Sequence, residues 1–112
     1  MAVSNAQRDK LRLTHELASL IELHFNDLMS IADATAQQKL IAARTQAHIN
    51  EADAALFLLQ ENEPQAQSLI QSLETMKNKI EQLLQQLQDA VAVLDLIVAA
   101  VRIGARLVNL GL

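Results

Sequence analysis

From Leu69 to Val108 apolar residues recur at alternating four- and three-residue intervals: Leu69, Leu73, Met76, Ile80, Leu83, Leu87, Ala90, Leu94, Ile97 and Val101, then Gly104 and Val108. Only Gly104 interrupts the apolar series, and this spacing predicts a long helix laid against a partner helix. The rest of the chain agrees. It has two Gly, one Pro, no Trp, no Tyr and two Phe (Phe25 and Phe57), so helix formers dominate and turn formers are nearly absent. A chain of 112 residues that is 51% hydrophobic is long enough for one core and short for two, which predicts a single all-α domain over 1–112.

Ser4 and Gln7 have the spacing of a capping box, so a first helix is expected to begin near Asn5. From there to Glu61 there is no Gly and no Pro. The strong punctuation is Asn62-Glu63-Pro64-Gln65, where Asn62 can cap and Pro64 fits a first helical turn. The expected architecture is therefore an antiparallel helical hairpin with its turn at 62–64 and coiled-coil-like packing. Its two helices would run roughly 45 to 57 residues, or about 65 to 85 Å at 1.5 Å per residue.

The first helix is less regular. A seam through Leu17, Ile21, His24 and Leu28 would next bring Thr35, Gln38 and Thr45 inward, whereas apolar residues continue through Ala32, Ala36, Leu40, Ala43, Ala47, Ala54 and Leu58. A stutter in an unbroken helix accounts for that shift. The alternative is three helices, with a break near 30–35, Asp33 or Thr35 as a new N-cap and Gln38 completing a second box. Without Gly or Pro in the stretch, the continuous helix is favoured. Its many alanines make it slim beside the Gln-rich face of Gln82, Gln85, Gln86 and Gln88.

A hairpin turning at 62–64 would set residues near 17–31 beside residues near 95–109. Asp95, Arg102, Arg106 and Asn109 fall in a strip of about 60° at 100° per residue, leaving most of that girth apolar. One facing helix covers about a third of it, so the hairpin calls for a partner. The expected contact residues are Leu17, Ile21, Phe25 and Leu28 from the first helix, with Leu94, Ile97, Val98, Val101, Leu107 and Leu110 from the second. The reading is a structural or adaptor protein that associates helix to helix, with itself or with another helical protein. The alternative is a membrane-active or pore-forming subunit exposing its apolar end to lipid. Asp95, Arg102 and Arg106 argue against a lone transmembrane helix there.

Other classes find little support. A net charge of -4 without a basic stripe speaks against nucleic acid. With no Cys, thiolate chemistry and disulfides are excluded. His24 with Asp27, and His48 with Glu51, share a helical face, but two ligands do not make a metal site. His24 reads as packed at a core edge, and His15 and His48 as solvated. Glu16, Glu22, Glu74, Glu81 and Asp89 read as solvating acids. Serines in helical context offer no strained nucleophile, and Gly104 and Gly111 have the wrong spacing for a phosphate loop. No enzyme, cofactor, metal or small-molecule substrate is expected. The polar stretch 1–16 predicts no cleaved secretory signal and, by default, a cytoplasmic location.

Overall fold

The computed structural model describes residues 5–56, 65–86 and 90–110, with the side chains of Gln86, Ala90 and Val91 left aside. The predicted turn at 62–64, Ser4 of the predicted first cap and Leu87 of the repeat lie outside the described residues. Four helices are present: α1 (Asn5–Ile31), α2 (Ala34–Leu56), α3 (Ala66–Gln86) and α4 (Ala90–Asn109). The two long helices of the expected hairpin are each divided, and the pieces fold back on one another. The molecule measures 45 × 22 × 19 Å, which is a short bundle and not a rod of 65 Å or more.

The first division falls at Ala32–Asp33, inside the stretch where the three-helix alternative placed it. Asp33 Oδ1 accepts the Ala36 N–H at 2.8 Å, so Asp33 is the N-cap of α2. The second box expected from Gln38 is replaced by its neighbour. Gln37 Nε2 donates to the carbonyls of Met29 (3.0 Å) and Ala32 (3.2 Å), filling acceptors that the end of α1 leaves open. Side-chain hydrogen bonds thus do the work that Gly or Pro does elsewhere. At the opposite end Gln7 Nε2 donates to the Ala54 carbonyl at 3.0 Å and joins the start of α1 to the last turn of α2.

The result is two helical hairpins side by side. α1 runs antiparallel to α2, since Glu22 meets Arg44 and His15 meets Glu51. α3 runs parallel to α1, with Arg12 against Glu74 and Glu16 against Lys77. α4 packs on α3, α2 and α1, and α2 and α3 occupy opposite corners without touching. The hairpin register of 17–31 beside 95–109 is replaced accordingly: Glu16 faces Lys77, and Asn50 faces Val101. A four-three repeat specifies only an inward face, and two short helices satisfy it as well as one long helix does. Inward it does point, because Leu69, Leu73, Ile80, Leu94, Ile97, Val101 and Val108 are all buried.

The α2–α4 junction is built from small residues. α2 turns Ala43, Ala47 and Ala54 inward, with Leu40 and Asn50 the larger groups, and α4 offers Ala100 and Gly104. A Cβ on Gly104 would lie 3.1 Å from Asn50 Nδ2, so the glycine is what lets the Asn50 side chain lie across α4. That side chain is held at both ends: Nδ2 donates to the Val101 carbonyl at 2.9 Å, and Oδ1 accepts from Gln46 at 2.9 Å. Buried amides with both ends satisfied fix orientation as well as adding stability.

Enlarging this junction is expected to destabilise the fold. Gly104→Val and Ala47→Leu should each cost about 1–3 kcal/mol by overpacking, whereas Ile41→Ala on the outer side of α2 should stay within about 0.5 kcal/mol of wild type. Urea unfolding followed by circular dichroism measures all three.

Candidate interaction surface

Charged residues stitch α1 to both of its lateral neighbours. On the α1–α3 side, Lys77 Nζ donates to Glu16 Oε2 at 2.7 Å, and Arg12 reaches Glu74 at 2.8 Å and Glu16 at 3.2 Å. Lys77 is buried to 8% exposure, so its ammonium has little water. Burial works to raise the Glu16 carboxyl, but the Lys77 hydrogen bond and the charges of Lys77 and Arg12 outweigh it and hold Glu16 below the usual carboxylate range. For Lys77, burial works downward and the bond and charge of Glu16 prevail, so its pKa is raised. The sequence positions of Glu16 and Glu74 suggested solvating acids; both instead pair with cations across α1 and α3.

On the α1–α2 side, Glu22 accepts from Arg44 at 2.5 Å and contacts His48 Nε2 at 2.7 Å, while Glu51 contacts His15 Nδ1 at 2.5 Å. The Arg44 and His48 hydrogen bonds, acting against desolvation, hold the Glu22 carboxyl low. Arg44 also stacks 4.4 Å from the Phe25 ring centroid, which covers part of that ring. His15 and His48 are exposed, as expected, and both are paired. His24 is half-buried at the core edge. Among the described residues no group of three or more His, Asp or Glu is arranged to hold a metal.

Lys10 is fully buried, and burial pushes its ammonium pKa down. An apolar cleft of about 180 Å³ lies where α1 turns into α2, among Leu28, Leu40 and Leu94, with Asp33 at its edge already capping α2. Neither feature brings a nucleophile and a base together.

Of the ten residues expected to meet a partner, Leu17, Ile21, Leu28, Leu94, Ile97, Val101 and Leu107 are buried inside the chain, and Phe25, Val98 and Leu110 are half-buried against the core. Two extra reversals give these side chains one another. The predicted polar strip of Asp95, Arg102, Arg106 and Asn109 is exposed as drawn.

The exposed apolar surface lies elsewhere. Leu23 (76% exposed) and Ile31 (49%) on α1, and Ile41 (46%), Ile49 (45%) and Leu56 (72%) on α2, are the large aliphatic residues left facing outward among the described residues. On α2 these fall in one line with Ala34, Gln38, Thr45 and Ala52, all exposed, so a largely uncharged strip runs the length of the helix, about 34 Å, with His48 and Arg44 along one edge of it. It lies opposite the alanines that face α4. The signal was present in the sequence as a second apolar line, half a turn away from the Ala43–Ala47–Ala54 line. Ile41, Ile49 and Leu56 stand out once the alanines are seen to be inside.

Against known proteins the chain matches no family model, no curated protein and no solved structure.

The Glu16–Lys77 contact sets an acid dependence. Because the folded Glu16 pKa is depressed, the stability it contributes is present above its ordinary value of 4.5 and is lost as pH falls through the lower folded value. Glu16→Gln should lower stability at pH 7 by about 1 kcal/mol or less, and the gap between variant and wild type should close below pH 4, as read by urea midpoints across pH.

Proposed function

We propose that the protein is a non-catalytic association module that works by laying the outward face of α2 against another helical surface, a second copy foremost. The observation that carries this reading is the exposed aliphatic strip of Ile41, Ile49 and Leu56, edged by His48 and Arg44 but without the Lys, Glu or Asp that a helix face meant only for water would carry along its centre. On this reading α2 carries the association surface, and the ten residues named from the sequence are buried in, or half-buried against, the bundle's own core.

Ile41 and Ile49 each already lose about half their surface within the chain and Leu56 about a quarter, so burying the remainder is worth roughly 1 to 2 kcal/mol apiece. Set against the several kcal/mol that any association costs, this supports a reversible, concentration-dependent contact and not an obligate one. A lipid-facing role receives less support. No described helix is long and apolar enough to cross a membrane, and the residues such a role would expose, Ile97 and Leu107 among them, are turned inward.

Light scattering over a concentration series tests the proposal. Mass should rise from one chain toward a defined oligomer as concentration approaches the millimolar range, and Ile49→Asp should hold the chain at monomer mass with its helicity intact. Ile97→Asp, by contrast, should unfold the bundle, since that side chain is fully buried. Dye release from liposomes at micromolar protein is expected to be absent, and release would favour the lipid role.

A further inference from the structure

We infer that the occupant of the α2 face is a second copy of the chain, with the two α2 helices antiparallel about a twofold axis passing beside Ile49. This deepens the association reading above and rests on it. Along the strip the side chains alternate in size, Ile41, Thr45, Ile49, Ala52, Leu56. Antiparallel pairing about Ile49 sets Ile41 against the partner's Leu56 and Thr45 against the partner's Ala52, so large meets large at the ends and small meets small between.

The charged flank decides between the two directions. A twofold axis perpendicular to both helices brings like flanks together head to tail, which places Arg44 opposite the partner's Glu51. Each has capacity to spare for that contact. Arg44 donates to Glu22 through Nε and Nη2, leaving Nη1, and Glu51 holds His15 through Oε2 while its Oε1 lies 4.0 Å from His48. Parallel pairing would instead bring Glu51 toward the partner's Asp53 and align the two helix dipoles, between copies that already carry -4 each. Leu23, exposed beside His48 in the adjoining α1–α2 groove, extends the covered area on the same flank. A seam one helix long falls below the roughly 800 Å² per partner of a standard interface, so the dimer is a weak one.

The chain has no cysteine, so introduced pairs report without background. Thr45→Cys and Ala52→Cys are prepared singly, checked for native helicity, and oxidised mildly either alone or mixed, with Gln85→Cys on the exposed face of α3 as control. The mixture should give a disulfide-linked dimer carrying one chain of each kind, roughly tenfold or more faster than either variant alone, and the control should not link. Rapid linkage of each variant with itself would overturn the antiparallel order while leaving the association reading standing. A chain that stays at monomer mass at every concentration and links in no combination would overturn both. Mass gained only with phosphatidylcholine–phosphatidylglycerol vesicles would assign the face to lipid and overturn the second copy.

Discussion

The close approach of α2 to α4 governs the rest of this structure. Alanines from one helix and Ala100 and Gly104 from the other leave room for the Asn50 amide to cross the junction and bond the Val101 carbonyl. Because α2 must present its small residues to reach that distance, its larger aliphatics other than Leu40, at the Asp33 end of the helix, face outward. The exposed strip is thus the geometric counterpart of a tight inner contact, and the proposed function follows from how the fold is closed. Small residues give little apolar area, so the helix most available to a partner is also the one held inward by the least hydrophobic burial.

Charge compensates on the other side of α2. Glu22 gathers Arg44 and His48, and Glu51 takes His15, so α1 and α2 are joined along their outer edge by groups that keep contact with water. On the α1–α3 side the pairing is deeper, because Lys77 is nearly sealed from solvent and its bond to Glu16 is correspondingly less screened. α1 is the helix through which these networks pass. Its apolar residues Leu13, Leu17 and Ile21 complete the centre of the bundle.

Much of this was legible in the sequence, at the level of faces. The four-three repeat names the inward side of α3 and α4, the alanine line names the inward side of α2, and the strip from Asp95 to Asn109 is the wet side of α4. What the pattern does not contain is where a helix stops. Between α1 and α2 the stop is made by Asp33, legible as a candidate N-cap but outweighed by the lack of Gly or Pro, and by Gln37, whose bonds to Met29 and Ala32 nothing in the pattern announces. Between α3 and α4 there is again neither Gly nor Pro, so the repeat reads straight through. From one missed stop came the others: a rod in place of a bundle, and a set of core residues left in want of a partner. The outward face of α2 went unread although the alanine line implied it, because attention falls on the seam that packs and not on the aliphatic residues half a turn away.

The pairing of two hairpins also orders assembly. α1 with α2, and α3 with α4, meet across short stretches of chain, so each hairpin closes at small loop entropy. The Asn50–Val101 contact spans 51 residues and closes a longer loop than either hairpin does. The halves are thus joined by the contacts that close the longest loops, Asn50–Val101, Glu16–Lys77 and Arg12–Glu74, and at the first of these shape replaces apolar area as the reward.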